Sequence, residues 1–278
     1  MKIHSPAKIN LFLHITGKRP DGYHDIHSLM ACVSLHDTLT LDFNVPEITV
    51  SCTHPDVPEN ETNIAYRAAR CFFDALSSPG GVAISIDKQI PVAAGLGGGS
   101  SNAACILTGM NAYYGLPFSY NDLASMGKTL GADVPFFIFQ KPAIATGIGE
   151  KLDFYKWIQP YPILLVHPDI RVSTEEVYKN LNFELTNCKQ KLKSFVLNTK
   201  FDPLCHLCND LETVTVSWHP EIEDIKNKLL NEGALGALMS GSGPTVLGIF
   251  SKPDLAKKAY DILSRNQMWS CYFTQLLI

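Results

Sequence analysis

The stretch that decides the fold is Pro91-Val92-Ala93-Ala94-Gly95-Leu96-Gly97-Gly98-Gly99-Ser100-Ser101-Asn102. Its glycines allow positive φ values and let the backbone approach a ligand without a Cβ in the way. Alternating residues 82–86 before it predict a strand, and the apolar residues 102–110 after it predict a buried helix. A glycine loop that opens into a helix points N–H groups and the positive end of the helix dipole at an anion. We therefore expect an anion site rather than a structural turn, in which ordering so many glycines would only cost entropy.

The loop does not fit the commoner phosphate-binding patterns. A Walker A loop needs a lysine after its last glycine, and the dinucleotide pattern G-x-G-x-x-G needs a glycine where Ser100 stands. The nucleophile elbow G-x-S-x-G needs a glycine where Asn102 stands. The loop therefore belongs to another nucleotide-binding class, in which the Ser100 and Ser101 hydroxyls are suited to phosphate oxygens or a magnesium ion.

The composition of the 278 residues is that of a globular protein with a sizeable core, in one large domain or two small ones. A net charge of −4 argues against a broad nucleic-acid-binding surface. No apolar run is long enough to cross a membrane, and the N-terminus has no signal-peptide core, so we expect a cytoplasmic protein. Eight cysteines fit that compartment. The close pair Cys205 and Cys208 has no second pair to complete a zinc site, so a structural role is favoured.

Residues 7–15 predict a strand in which Lys8, Asn10, Phe12 and His14 share one face. An unpaired charge among apolar residues is costly, so Lys8 either forms a salt bridge or points at a phosphate, and both remain open. The turn at residues 17–22 leads to Tyr23 and His24, which on their own suggest only packing.

Two helices are predicted around the loop, at residues 63–76 with Thr62 or Asn63 as the N-cap, and at residues 119–130 with Gly131 as the C′ glycine. Asp133 follows, either as a turn residue or as a partly desolvated base. Further strands are predicted at residues 37–43 and 48–51.

A domain change is expected near residues 152–162, followed by a strand at 162–167. Helices are predicted at residues 173–181 and 222–231, whereas 182–203 carries no clear pattern and is suggestive of a variable insertion. Residues 237–250 predict strand, turn and strand, and the Gly241-Ser242-Gly243 turn is expected to close over the first glycine loop.

Four motifs occur in order: the strand with Lys8 and Asn10, the glycine–serine loop, Gly131-Ala132-Asp133-Val134-Pro135, and Met239-Ser240-Gly241-Ser242-Gly243. Together they closely resemble the GHMP kinases, the superfamily of galactokinase, homoserine kinase, mevalonate kinase and phosphomevalonate kinase. Arg19-Pro20-Asp21-Gly22-Tyr23-His24 narrows the resemblance to members that phosphorylate 4-diphosphocytidyl-2-C-methyl-D-erythritol in the non-mevalonate route to isoprenoid precursors.

The resemblance implies an α+β fold of two domains with the active site in the cleft between them. Residues 1–155 would form an ATP-binding domain like domain 2 of ribosomal protein S5, and residues 156–278 a ferredoxin-like domain. ATP and Mg²⁺ would be the cofactors. The partner would be the small-molecule substrate and not nucleic acid or a membrane. The resemblance leaves the oligomeric state and the magnesium ligands open.

The resemblance also implies roles for individual residues. Lys8 and Asp133 match the catalytic pair, in which Asp133 takes the proton of the substrate 2-hydroxyl while Lys8 keeps Asp133 ionised and stabilises the transferring group. The ATP site would comprise Pro91, Val92, Ala93, Ala94, Gly95, Leu96, Gly97, Gly98, Gly99, Ser100 and Ser101, with Asn63 and Lys88 near the adenosine. The substrate side would comprise Asn10, Tyr23, His24, Thr174 and Tyr178.

Two positions depart from the family pattern. Tyr178 stands where relatives commonly carry phenylalanine as a second aromatic on the cytosine, and its ring face can still stack. Pro244-Thr245 follows the last glycine turn where relatives often carry small residues.

Two alternative functions remain. One is another GHMP kinase that acts on mevalonate, phosphomevalonate, homoserine or a sugar, and the other is a catalytically silent nucleotide-binding protein. The cytidine-type motif at 19–24 argues against the first, and the presence of both Lys8 and Asp133 argues against the second.

Overall fold

The computed structural model describes residues 1–195 and 198–278. Its contacts divide the chain into two compact units, and each unit is discontinuous in sequence. The first contains Met1–Ala7, His36–Val92 and Gly97–Gln140, and the second contains Lys8–Leu35, Ala93–Leu96 and Lys141–Ile278. The predicted domain division between residues 155 and 156 stays a prediction.

Two long strands, β1 (Lys2–Lys18) and β2 (His24–Asp42), contribute residues to both units. β2 begins well before the strand predicted from residue 37. Its residues 28–33 are all buried, so no alternation of apolar and polar residues marks them as a strand.

The first unit packs helices against a small group of strands. Within it β4 (Val82–Asp87) pairs in parallel with β3 (Ile48–Cys52) and in antiparallel with the last part of β2, from Thr38 opposite Asp87 to Asp42 opposite Ala83. The complete elements are β3 (Ile48–Cys52), α1 (Ile64–Leu76), β4 (Val82–Asp87), α2 (Gly98–Tyr113), α3 (Tyr120–Leu130) and α4 (Val134–Phe139).

The predicted helix starts at Asn63 and Ser119 are confirmed. The Asn63 side chain caps α1 by accepting from the Ala65 N–H, and Ser119 forms a capping box with Asp122. Gly131 follows the last residue of α3, as predicted, but its φ of 176° is extended backbone that any residue adopts, so this helix does not end in the left-handed conformation that favours glycine.

Helix α2 starts earlier than predicted, at Gly98 instead of Asn102. Glycine has a low helix propensity, so the sequence suggested loop through residue 101. The helix is buried over most of its circumference, and tertiary packing of this kind overrides propensity. The last part of the presumed loop, residues 98–101, is therefore the first turn of a helix.

The second unit is built on a four-stranded sheet, whose strands lie in the order β11 (Trp269–Gln275), β7 (Pro162–Pro168), β10 (Val246–Ile249) and β9 (Gly236–Met239). Here β9 and β10 pair in antiparallel, as predicted for residues 237–250. The elements of this region are β5 (Ala143–Gly147), β6 (Lys151–Phe154), β7 (Pro162–Pro168), α5 (Thr174–Lys179), α6 (Cys188–Lys191), α7 (Pro203–His206), β8 (Cys208–Asn209), α8 (Glu212–Trp218), α9 (Glu221–Asn231), β9 (Gly236–Met239), β10 (Val246–Ile249), α10 (Pro253–Leu263) and β11 (Trp269–Gln275).

The second unit also has pairings outside that sheet and a core of its own. β1 pairs with β8, and β5 pairs with both β2 and β6. The core joins residues of β1, β7, α9, β10 and α10 in one apolar cluster. The 182–203 region holds short 3₁₀ and α turns, while Val196 and Leu197 lie outside the described residues. Along the described ranges, no helix combines the length and the apolar character needed to cross a bilayer.

Candidate functional site

The tip of the glycine loop has the unusual backbone that its sequence predicts. Ala93, Gly95 and Gly97 all have positive φ, of 54°, 75° and 68°. A Cβ at Gly95 would overlap the carbonyl oxygen of Ser240, so the close approach of a second chain segment requires glycine here. The Ser240 hydroxyl also donates to the Gly95 carbonyl at 3.1 Å, which confirms that the Ser240–Gly243 turn closes over the loop.

The end of the loop is an open helix start. Gly97 is the N-cap of α2 and makes no side-chain cap bond, and the first turn contains no acidic residue. The first N–H groups of a helix have no acceptor within it, and the helix dipole places positive charge there. The start of α2 thus has the donors and the electrostatics of an anion site, and Ser100 and Ser101 lie in its first turn.

The two serines have different surroundings. Ser101 is fully buried, and its hydroxyl accepts from the Ser5 hydroxyl at 2.8 Å. Ser100 is half-buried and lies close to the turn that precedes Asp133, since a Cβ on Gly131 would lie 3.8 Å from the Ser100 Oγ. Ser100 is therefore the more accessible hydroxyl of the pair.

Asp133 occupies the N-cap position of the short helix α4, and it is half-buried. It makes no side-chain cap bond, although aspartate commonly caps in this way. Pro135 fits the first turn of the helix because its missing N–H is not needed there. The apolar residues that follow bury α4, and this packing fixes the Asp133 backbone.

Lys8 and Asn10 lie side by side on β1, as the two-residue period predicts. The Lys8 ammonium donates to Asn10 Oδ1 at 2.7 Å, and Asn10 Nδ2 donates to the Ser28 hydroxyl at 2.8 Å. Ser28 in turn donates to the Phe12 carbonyl at 2.7 Å. The Lys8 N–H donates to the Leu96 carbonyl at 3.0 Å, so the strand that carries the ammonium is tied to the tip of the glycine loop.

The two residues expected near the adenosine are both engaged within the first unit. Asn63 uses its oxygen in the helix cap and donates its amide to the Pro58 carbonyl at 2.6 Å. The Lys88 ammonium donates to Asp37 at 2.8 Å and to the Ile90 carbonyl at 2.7 Å. Both side chains thus have a structural role in shaping the walls of the loop.

Among the residues expected on the substrate side, His24 contacts Tyr178. The centroid of the His24 ring lies 5.3 Å from that of Tyr178 and 6.0 Å from that of Phe183. The planes of the His24 and Phe183 rings are nearly parallel, at an angle of 24°. Tyr23 is 61% exposed, and the Thr174 hydroxyl is paired with the Ser242 hydroxyl at 2.8 Å. Burial lowers the pKa of His24, with a further contribution from Lys18, which favours the neutral ring at neutral pH.

Sequence reasoning missed four residues that the structure places against the predicted ones. Ser28 and Ser240 support Asn10 and Gly95, and neither side chain stands out in an ordinary strand or turn. Phe183 lies in the region without a sequence pattern. Asp37 accepts from the Lys88 ammonium, from the N–H groups of residues 89 and 90 and from Asn102. Only its charge at the edge of an apolar strand hinted at such a role.

No cluster of three or more metal-ligating side chains is present among residues 1–195 and 198–278. Cys205 is exposed and Cys208 buried, and all eight cysteines are free thiols. The first unit thus carries an open helix start with the Ser100 hydroxyl and a carboxylate at the start of α4, and the second unit carries a buried ammonium on β1.

Comparison with known proteins agrees with these features. Residues 63–141 match the model of the GHMP kinases N terminal domain, and residues 196–268 match that of the GHMP kinases C terminal. The 4-diphosphocytidyl-2-C-methyl-D-erythritol kinase of Syntrophotalea carbinolica is 47% identical over 96% of both chains. The protein of the same name from Syntrophus aciditrophicus is 44% identical over 98% of both chains.

Solved structures give the same result for the fold. A crystal structure of 4-(cytidine 5'-diphospho)-2C-methyl-D-erythritol kinase matches with a TM-score of 0.83 and 34% identity over 99% of both chains. The mevalonate kinase of Methanococcus jannaschii, at 16% identity and a TM-score of 0.73, shares the fold. The predicted α+β fold of two GHMP domains is confirmed. The chain belongs to the GHMP kinase family of ATP-dependent small-molecule kinases.

Proposed function

We propose that this kinase transfers the γ-phosphoryl group of ATP to the 2-hydroxyl of 4-diphosphocytidyl-2-C-methyl-D-erythritol, which gives the 2-phosphate and ADP. The reaction belongs to the non-mevalonate route to isoprenoid precursors. The observation that carries the proposal is the similarity, over nearly the whole chain, to kinases named for this substrate. The aromatic group around His24 is consistent with a ligand that contains a base.

Residues of the glycine loop, from Pro91 to Ser101, are proposed to hold the ATP phosphates. The open start of α2 and the positive φ angles of the loop fit a polyanion. Magnesium, when bound, would offset the phosphate charge, and Ser100 is the hydroxyl we propose for contact with the metal or a phosphate oxygen. Asn63 and Lys88 would form part of the adenosine side, mainly by holding the backbone in place.

The chemical step requires a proton acceptor and positive charge, because phosphoryl transfer is largely positioning and charge stabilisation. We propose that Asp133 accepts the proton of the 2-hydroxyl as general base. Lys8 would stabilise negative charge on the transferring group. Asn10, which accepts from the ammonium, would fix its direction and contact the substrate.

The cytidine diphosphate end is proposed to bind at Tyr23, His24, Thr174 and Tyr178. A neutral His24 offers one donor and one acceptor, which suits a cytosine edge. Tyr23 and Tyr178 supply ring faces for stacking, and Tyr178 lies against His24. The division into residues 1–155 and 156–278 and the cytoplasmic location remain proposals that rest on the sequence.

The decisive experiment measures ADP release from ATP and magnesium with four acceptors in parallel. 4-Diphosphocytidyl-2-C-methyl-D-erythritol should support turnover, whereas mevalonate and homoserine should not. The fourth acceptor, 2-C-methyl-D-erythritol 4-phosphate, has the same hydroxyl without the cytidine and should react poorly, since remote binding energy contributes to turnover. No ADP release with the cytidylated acceptor would overturn the proposal.

A further inference from the structure

Asp37 is a carboxylate that the chemistry above does not use. Its side chain is fully buried on β2, and it accepts four hydrogen bonds. Oδ1 accepts from the N–H groups of Gln89 and Ile90, both at 2.8 Å. Oδ2 accepts from the Lys88 ammonium at 2.8 Å and from Asn102 Nδ2 at 3.0 Å.

The four donors flank the glycine loop on both sides. Residues 88–90 directly precede Pro91, and Asn102 directly follows Ser101. One carboxylate therefore fixes both ends of the loop. Because a glycine-rich segment has many accessible conformations, tying its ends together removes much of the entropy that an anion would otherwise have to overcome on binding.

A second set of bonds extends from Asp37 into the first turn of α2. Asn102 Nδ2 also donates to the Ser5 hydroxyl at 2.9 Å, and Ser5 donates to Ser101 at 2.8 Å. On the other side, a Cβ at Gly98 would lie 3.0 Å from the Lys88 ammonium. The helix start that offers N–H groups to an anion is thus held between Ser5 and Lys88, and both belong to the network of Asp37.

The charge of the network is balanced. A buried carboxylate near the start of α2 would repel a bound anion if it were alone, but the Lys88 ammonium, only 6% exposed, neutralises it. Buried ion pairs are poor sources of stability, because desolvation offsets most of the attraction. The arrangement is better explained by the geometry that it imposes on the loop.

We propose that Asp37 is a positioning residue for the nucleotide: it holds both ends of the glycine loop in the conformation that binds the ATP phosphates. The proposal rests on the proposed function in one respect, that the ligand of the loop is ATP. In this proposal Asp37, a residue on β2, raises the affinity for the nucleotide without contacting it.

The test compares Asp37→Asn with two other variants. Asparagine keeps the shape of the side chain but has a single acceptor oxygen for four donors. Asn102→Ala removes one donor and leaves the carboxylate in place, and it provides a milder variant if Asp37→Asn folds poorly. Asp42→Asn is the matched control, since Asp42 is an exposed carboxylate on the same strand.

Two readouts separate positioning from simple destabilisation. Binding of magnesium and the non-hydrolysable analogue AMP-PNP is measured by calorimetry, below the melting temperature of each variant. Because hydrogen bonds to a charged group are involved, we expect the dissociation constant to rise about tenfold or more in Asp37→Asn and a few-fold in Asn102→Ala. The KM for ATP should rise in parallel while the KM for the cytidylated acceptor changes by less than about twofold.

Folded Asp37→Asn and Asn102→Ala proteins that bind the analogue like the wild type would overturn the proposal. So would an equal rise in the KM of both substrates, or an equal loss of affinity in Asp42→Asn. Failure of the proposed function is a separate result, namely a wild type that binds the analogue but releases no ADP with the cytidylated acceptor. The binding arm still tests Asp37 in that case, since it needs no acceptor.

Discussion

The ammonium of Lys8 donates a 2.7 Å hydrogen bond to Oδ1 of Asn10, and both side chains are almost completely buried. Asn10 is itself held by Ser28, which donates to the backbone of Phe12. The direction of the cation is therefore set by a chain of bonds that ends on a strand. A charge held in place before the reaction costs no reorganisation when negative charge develops.

Replacement of Asn10 by alanine tests this arrangement. We expect kcat to fall about 10- to 100-fold, because the cation loses its orientation. The free energy of unfolding should fall by about 1–3 kcal/mol, because the buried Lys8 ammonium loses an acceptor and the buried Ser28 hydroxyl loses a donor. Steady-state kinetics and urea unfolding measure the two effects. Ser28→Ala keeps the Lys8–Asn10 bond and should lose less activity, so equal kcat values for wild type and a folded Asn10→Ala protein would contradict the assignment.

Asp133→Asn tests the general base. Thermal unfolding checks that the variant remains folded. The kcat should fall by about two to four orders of magnitude, the usual contribution of general-base catalysis. Rapid-quench measurement of ADP formation isolates the chemical step. Turnover near that of the wild type would show that another group, or water, accepts the proton.

Phe183 lies nearly parallel to His24 and is 40% exposed, which suits it to support a bound base. Phe183→Ala should raise the KM for the cytidylated acceptor about fivefold or more, since an aromatic contact contributes about 1 kcal/mol. The KM for ATP should not change, and Phe183→Tyr should restore the acceptor affinity. Leu185→Ala, an exposed residue of the same turn, serves as the control. A uniform effect of Phe183→Ala on both substrates would exclude a specific role.

Substitution by alanine is expected to have opposite effects on stability at two glycines of the loop. Gly95 has a φ of 75°, and a Cβ there would overlap the Ser240 carbonyl oxygen. Gly95→Ala should therefore lower the free energy of unfolding by about 1–3 kcal/mol and weaken ATP binding. At Gly99 the nearest atom would be 3.6 Å away, in the first turn of α2. Gly99→Ala should keep or raise the stability, because alanine has the higher helix propensity. Thermal unfolding without ligand distinguishes the two, and equal melting temperatures would contradict the steric argument.

The pH dependence of stability follows from four histidines that are buried or half-buried. Burial lowers the pKa of each of these imidazole rings below its value of about 6.5 in the unfolded chain. The four residues are His24, His27, His167 and His206. Between the folded and unfolded pKa values the unfolded chain binds more protons, so the free energy of unfolding must fall as the pH drops below about 6.5.

Urea unfolding between pH 8 and pH 5 checks this expectation. His167→Gln should reduce the loss of unfolding free energy at low pH, because it removes one titrating ring. The hydrogen bond between His167 and the Thr245 hydroxyl is one that glutamine can also form. A stability that stays constant or rises from pH 7 to pH 5.5 would show that carboxylates outweigh the histidines in this range.

Much of the protein could be predicted from local sequence. The helix starts at Asn63 and Ser119 were predictable because a cap involves residues two or three positions apart. The contact between Lys8 and Asn10 follows from the two-residue period of a strand. The positive φ angles at Gly95 and Gly97 follow from glycine itself, whose backbone freedom does not depend on context.

The remaining features depend on residues far apart in the chain. The start of α2 at Gly98 contradicts glycine's propensity and results from burial of the helix on nearly all sides. Phe183 reaches His24 only through the folded path of a region that has no periodic pattern of its own.

The sequence by itself determined the family, because its motifs depend on residue type and short spacing. The catalytic roles of Lys8 and Asp133 stay predictions. Only the tertiary structure decided which carboxylate anchors the loop. Asp37 is 51 residues from Lys88 and 65 from Asn102 along the chain. A buried charge is stable only where distant donors converge on it, and no local pattern records that convergence.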